Sequence, residues 1–311
     1  MTRPVCILGI YVADLTFVTP AALPRPGETV LGRDFRIGPG GKGSNQAIAA
    51  RRAGAKVDLI AKIGADTFGD MAFELYEKEG VDDRCLIESK VHPTGAAGIY
   101  VSETTGENAI VVSPAAAGAI TVSEVEAREE FIAQAGIFIT QFEVPLAVAE
   151  TGLRLARKNA VPTILNPAPA ADWAPSLWAL ADIATPNESE AAALSGTAVS
   201  GPDDASRAAD FFLDRGTAAV IVTLGAQGAF LKTPEISVHV PAIDAGKVVE
   251  TTGAGDAFNG TLAAALAEGQ TLTDAVWFAN AAAAISVTRP GTATSMPRRE
   301  EIAAVLRQRG R

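Results

Sequence analysis

The chain has two histidines and two cysteines in 311 residues, and only 6% of it is aromatic. His92 and His239 lie in different segments, so neither a histidine-rich metal site nor a Ser-His-Asp triad is supported. Cys6 and Cys85 cannot build a disulfide framework, and both sit among apolar residues, where reduced thiols are usual. Positive charge is also scarce: 26 Lys+Arg stand against 36 Asp+Glu, a formal net charge of −10. Nothing compact and basic remains to attract a nucleic-acid backbone, although a local basic pocket for a small phosphate ligand stays open. Long apolar runs are missing too. The longest charge-free stretches, such as Gly216 to Leu231, reach 16 residues and contain Gly, Thr and Gln, short of the ~20 apolar residues of a membrane span. The N-terminus passes from Met1-Thr2-Arg3-Pro4 straight into Val5-Cys6-Ile7-Leu8 with no small-residue cleavage site. These absences lead us to expect a soluble, cytoplasmic protein with no membrane or nucleic-acid partner.

What is present suffices for a large core. Hydrophobic residues make up 48% and charged residues 20%, so buried apolar surface can offset chain entropy and a disordered chain is excluded. Length alone allows one large or two small domains. Short apolar runs at 5–11, 57–63, 137–142, 163–166, 183–185 and 219–223 read as buried strands. Helical patterns lie between them at 44–53, 68–79, 145–158, 188–194 and 203–215, and two Ala-rich helices at 256–268 and 273–287 precede a last one at 299–308. Apolar strands separated by helices imply an α/β fold, a doubly wound and mostly parallel sheet flanked by helices. Two stretches, 28–37 and 96–112, instead alternate like exposed strands, with a turn at 104–108. They predict a small inserted β lid on a single domain spanning 1–311, since no linker or repeat divides the chain. Trp173, Trp178 and Trp277 read as core or interface, and Arg51-Arg52 and Arg298-Arg299 as solvated helix faces.

Two glycine clusters carry the chemistry. The first, Gly38-Pro39-Gly40-Gly41-Lys42-Gly43-Ser44-Asn45, contains a literal GxGxxG, but no buried parallel strand precedes it, as a dinucleotide fingerprint requires. Nor is it a Walker A loop, because Lys42 is followed by glycine. What remains is a backbone-exposing turn, a lysine and an asparagine on a helix start, a set suited to a hydroxyl-rich ligand. Its bland counterpart is a glycine turn with a helix cap. The second cluster, Thr251-Thr252-Gly253-Ala254-Gly255-Asp256, runs directly into an Ala-rich helix, so its amides converge into an anion site. Asp256 could simply favour the helix dipole. Beside an anion cradle it also suits phosphoryl transfer as the proton acceptor.

The segment from Gly40 to Asp70 and the run from Thr251 to Gly260 resemble the two signatures of the ribokinase-like, PfkB-type carbohydrate kinases. Asn166-Pro167-Ala168-Pro169, Thr185-Pro186-Asn187-Glu188-Ser189-Glu190 and Thr223-Leu224-Gly225-Ala226-Gln227-Gly228 fall between them in the family's order. The resemblance implies an ATP-dependent kinase that phosphorylates a primary hydroxyl of a free sugar, with D-ribose the leading substrate. Adenosine, fructose and tagatose are alternatives, as is a silent sugar-binding protein, which the intact Lys42, Gly253, Gly255 and Asp256 speak against. Asp14, Gly41, Lys42, Gly43, Asn45 and Glu143 would hold the sugar. Asp256 would be the general base, with Gly253, Ala254 and Gly255 as the anion hole. Asn187, Thr223, Leu224, Gly225, Gly228, Gly255 and Asn280 would contact the nucleotide, and Glu190 would orient Mg2+ through water. By spacing alone, Asn187-x-x-Glu190 is a helix capping box. A K+ loop would comprise Glu250, Thr252, Ser286, Arg289, Gly291 and Ser295, several through carbonyls. The inserted strands are expected to form a homodimer as well as a lid.

Three positions depart from the family pattern. Glu250 stands where Asp is usual, one methylene longer. The run Ser113-Pro114-Ala115-Ala116-Ala117-Gly118 replaces an Ala-Gly-Ala-Asn type of segment, removing an amide. Tyr11-Val12-Ala13 precedes Asp14 where smaller, more polar residues are usual, and Tyr11 is as well suited to the core as to the sugar.

Overall fold

Alternate residues of the central strands enter two different cores. The computed structural model describes residues 2–20, 22, 24–104, 108–171 and 175–310. In chain order it has β1 (Val5–Leu8), β2 (Val12–Thr19), β3 (Asp34–Gly40), α1 (Lys42–Arg52), β4 (Val57–Ile60), β5 (Lys62–Gly64), α2 (Thr67–Glu79) and β6 (Ile87–Ser89). Next come β7 (Gly95–Ser102), β8 (Asn108–Ser113), α3 (Val122–Glu126), α4 (Glu129–Gln134), β9 (Ile137–Gln141), α5 (Leu146–Lys158), β10 (Thr163–Asn166) and β11 (Ile183–Ala184). The chain closes with α6 (Glu188–Ser195), α7 (Pro202–Leu213), β12 (Ala219–Thr223), β13 (Ala229–Lys232), β14 (Ser237–Val240), α8 (Ala254–Ala267), α9 (Leu272–Ser286) and α10 (Arg299–Gln308).

The main sheet runs β14-β13-β12-β11-β10-β9-β1-β4. From β12 to β4 every pairing is parallel, and β13 and β14 add antiparallel at one edge. Val5 and Ile7 of β1 and Ile137 and Ile139 of β9 join a core covered by α1, α8 and α9. Cys6, Leu8 and Phe138 point the other way, into a core covered by α5 and α7. Period-2 strands buried on both faces require a helix layer on each, which gives the doubly wound arrangement.

The second sheet, in the order β3-β2-β7-β8, stands apart from the main one. β2 pairs parallel with β7, while its pairing with β3 and that of β7 with β8 are antiparallel. Phe17 stacks on Tyr100 at 5.5 Å and meets Phe35 at 4.8 Å, and all three rings stay partly exposed on one face.

Several expectations are corrected. The first lid ribbon begins at Asp34, not at 28, and continues to Gly40, so Gly38 and Gly40 lie in a strand and the glycine turn shrinks to Gly41. Strand 57–63 is two strands, because the chain leaves the main sheet after Ile60 and pairs β5 with β6. β2 was not anticipated. Arg52 is no solvated face: it donates to the Glu79 carboxylate and to the carbonyls of Thr294 and Met296. Arg299 pairs with Glu268. Trp178 is buried against Phe212; Trp173 lies outside the described residues, as does the centre of the turn, 105–107.

α1 and α8 approach until their backbones touch. At Gly260 an added Cβ would lie 2.2 Å from Gln46 O and 2.7 Å from Ala49 Cβ. Gly260→Ala must therefore push the helices apart, and it should cost about 1–3 kcal/mol, the usual range for overpacking. A urea midpoint equal to wild type would show that the crossing is slack.

Candidate active site

The strand order reverses about β1, which has β4 on one side and β9 on the other. A crevice opens at the carboxyl ends of strands at such a switch point. Here β1 is followed by β2 of the small sheet, and β3 returns the chain to α1. Gly41 caps α1 with φ +88°, a left-handed conformation that a side chain would strain, and a Cβ there would lie 2.6 Å from Ile10 O. The turn presses α1 against the end of β1. Across the switch point, the Lys42 backbone N–H donates to Glu143 Oε2 at 2.8 Å. Asp14 of β2 packs its carboxyl over Gly40, where a Cβ would lie 2.1 Å from Oδ1.

The second cluster starts α8. Gly253 is its N-cap at φ +82°, Ala254 and Gly255 open the first turn, and Asp256 follows. A Cβ on Gly255 would meet nothing within 4 Å, so the turn is open at that position, while the Ala254 N–H donates to Thr251 O at 3.2 Å. The Asp256 carboxylate is 6% exposed and held at both oxygens. Asn45 Nδ2 donates to Oδ2 at 2.9 Å and Gln46 Nε2 to Oδ1 at 3.1 Å.

A cleft of about 270 Å³ joins these parts, walled by Lys42, Asn187, Glu190, Thr223, Gly255 and Asp256. Asn166, Ala168, Thr185 and Asn259 complete it. The two clusters therefore meet, and so do three of the predicted nucleotide contacts and Glu190. Asn187 and Glu190 form the reciprocal capping box of α6, with bonds of 2.8 and 2.9 Å, and still line the cleft. Spacing and resemblance described one feature. Leu224 N–H donates to Gly228 O at 2.7 Å in a turn where Gly225 and Gly228 both have positive φ.

Other candidates lie outside the wall of the cleft. Asn280 donates to Pro241 O at 2.8 Å. Glu250 Oε2 accepts from Gly291 N at 2.9 Å, tying together the two segments of the expected cation loop. Ser286 and Ser295 donate to the carbonyls of Ala283 and Thr292. The Arg289 guanidinium is held by Glu301, so only its carbonyl could serve a cation. Thr252 precedes the N-cap of α8. Among the described residues, no three or more His, Cys, Asp or Glu side chains are arranged for a metal ion. Tyr11 belongs to the core, edge-on to Tyr76. Ala116 and Ala117 are buried and offer a ligand no polar side chain.

Electrostatically the site is one lysine among carboxyls. Burial works against the Lys42 charge, but Asp256, Glu143 and Glu190 together outweigh it and raise its pKa. Burial, reinforced by Asp256, pushes Asp14 up to about 6. Burial raises Glu143 to about 7, against the pull of Lys42, and raises Glu190 as well.

A family model described as pfkB family carbohydrate kinase matches residues 2–299. The chain belongs to that family. This kinase is 39% identical over 301 residues to the ribokinase of Haemophilus influenzae, covering 97% of each chain. It is 37% identical to the ribokinase of Mus musculus, over 97% of this chain and 94% of the other. The solved structure of Arabidopsis thaliana ribokinase complexed with ribose and ATP superposes with a TM-score of 0.91 at 28% identity, over 98% and 99% of the two chains.

Sequence reasoning missed Gln46, Asn166, Thr185 and Asn259 as parts of the site. The one available signal was position: Asn166 and Thr185 directly end buried strands, where a polar residue faces the crevice.

Glu143 binds its proton more tightly in the folded chain than in the unfolded one. Folding therefore takes up a proton between about pH 4.5 and 7, and this group's contribution to stability falls as pH rises through that window. The stability of wild type relative to Glu143→Gln should accordingly decline from pH 5 to pH 8 in urea titrations. A constant difference would mean that Glu143 titrates normally.

Proposed function

We propose that this kinase transfers the γ-phosphoryl group of ATP to a primary hydroxyl of free D-ribose, giving ribose 5-phosphate and ADP. The observation that carries the reading is Asp256, fixed at both oxygens on the first turn of α8, beside the open position at Gly255 and lining one cleft with Lys42. The names of the relatives, and ribose and ATP in the Arabidopsis structure, supply the substrates. Asp14, Gly41, Lys42, Gly43, Asn45 and Glu143 hold the sugar, with the Asp14 carboxylate accepting from its hydroxyls. Asn187, Thr223, Leu224, Gly225, Gly228 and Asn280 frame the nucleotide. Asp256 takes the proton of the attacking hydroxyl as its oxygen bonds to the γ-phosphorus, and the bond to the β-phosphate oxygen breaks. The amides of Gly253, Ala254 and Gly255 and the Lys42 ammonium meet the charge on the transferred group. The whole chain acts as one kinase domain in the cytoplasm, with the four-stranded sheet as its lid.

Asp256→Asn keeps the shape and removes the proton acceptor. We expect kcat to fall about 10²–10⁴-fold, the range for losing a general base, with calorimetric affinity for ribose and ATP little changed. Retention of more than about a tenth of wild-type kcat would refute the base role. ADP release with ribose should exceed that with adenosine, fructose or tagatose, and a different preferred acceptor would reassign the substrate.

The cleft also fits magnesium and the neighbouring loop a large monovalent cation. Glu190 lines the cleft opposite Lys42 and is a hard oxygen donor suited to Mg2+. Bound magnesium would neutralise phosphate charge. Glu250 brings the segments bearing Thr252 and Gly291 together, and the carbonyls there, with those near Ser286, Arg289 and Ser295, suit weakly hydrated K+. Turnover should be higher in potassium than in sodium or cation-free buffer. Equal rates in all three would remove the cation.

The exposed rings of Phe17, Phe35 and Tyr100 lie on one face of the lid, and such a face is covered by pairing in a homodimer. Light scattering at micromolar concentration should give twice the 32.0 kDa of the chain. A clean monomer would count against it.

A further inference from the structure

Asp256 is gripped by a relay of amides that the reaction as described does not use. Gln46 on α1 is fully buried, as is Gln141 at the end of β9, and Asn166 at the end of β10 is 5% exposed. Gln46 Nε2 donates to Asp256 Oδ1 at 3.1 Å and to Asn166 Oδ1 at 3.3 Å. Its Oε1 accepts from Gln141 Nε2 at 2.6 Å. Asn166 is oriented in turn by donating Nδ2 to Thr185 O at 3.0 Å. One orientation of the Gln46 amide satisfies every contact. Reversed, its oxygen would face two acceptors and its NH2 group would face the NH2 of Gln141. Gln141 accepts a cost to keep this arrangement, because its own Oε1 is buried without a partner. Methionine or leucine would fill these positions without that penalty.

We infer that Gln46 is a positioning residue for the Asp256 carboxylate, and that Gln141 sets which end of the Gln46 amide Asp256 meets. The inference rests on Asp256 being the base. A carboxylate on one short side chain can rotate, and a second fixed donor on Oδ1, besides Asn45 on Oδ2, holds it in a single plane. Misplacement of a reacting group by about 1 Å costs roughly 10²-fold in rate.

The test is steady-state kinetics from pH 5.5 to 9 on Gln46→Met, Gln46→Glu and Gln141→Met, with thermal melts as a folding check. Gln46→Met removes the donor, so kcat should fall about 10²-fold while both KM values hold. Gln46→Glu puts a second carboxyl against Asp256 and should move the acidic limb of kcat upward by about one pH unit or more. The charged groups on which Asp256 bears are Lys42 on α1, Asp14 on β2, Glu143 after β9 and Glu190 on α6. They are common to both enzymes, so the difference between the two profiles reports the new carboxyl. Gln141→Met should lower kcat less than Gln46→Met, again at constant KM. If the Gln46 variants do not fold, Gln141→Met decides alone. Wild-type kcat and pH profile in the folded variants, or losses seen only in KM and melting temperature, overturn the proposal. An inactive Asp256→Asn beside normal Gln46 variants would refute positioning alone; an active Asp256→Asn would refute the base.

Discussion

Backbone contact between α1 and α8 is the constraint from which the site follows. The helices meet where Gly260 leaves no room for a methyl group, and that proximity lets Asn45 and Gln46 reach Asp256, 211 and 210 residues further along the chain. Both helices start at positive-φ glycines, Gly41 and Gly253, so both can begin abruptly at the rim of the sheet. Given the crossing, each neighbouring strand end needs to contribute only a residue or two: Glu143 after β9, Asn166 on β10, Asn187 after β11, Thr223 on β12. The cleft is a by-product of parallel strands ending level beneath two helix starts.

This construction concentrates acid in a poorly hydrated place. Glu143, Glu190 and Asp256 act on a single lysine with Asp14 near Asp256, and burial disfavours Asp14, Glu143 and Glu190 in the ionised form. A protein selected only for stability would replace several of them with apolar side chains. They persist where a ligand that arrives rich in hydroxyl donors, together with any cation it carries, can satisfy them.

The architecture was largely legible in the sequence. Buried parallel strands are continuous apolar runs, and 163–166 and 219–223 coincide with β10 and β12. Elements that carry chemistry were harder. β2 bears Asp14 near its start and hides a strand behind a charge, while β13, β14, α3 and α4 are too short for periodicity to register. The 57–63 run, VDLIAKI, reads as one strand even though the chain changes sheets within it, because both destinations are buried. At the site, glycine clusters announced themselves by composition. Gln46 and Arg52 did not: a buried amide or guanidinium resembles a surface residue until its partners, between 27 and 244 positions away, are in place.

Asp14 is the one acid of this group that the small sheet contributes; Asp256, Gly255 and Lys42 belong to the helices on the main sheet. On its first passage the chain enters the small sheet from β1 through Tyr11 and leaves it through Gly41, so Asp14 and Lys42 are tethered to the main sheet by very few residues. If the proposed roles hold, substitutions on β2, β3, β7 and β8 would reshape what the acceptor end admits while leaving the helix starts of the main sheet in place. Such a division would let the acceptor side vary with the frame held constant.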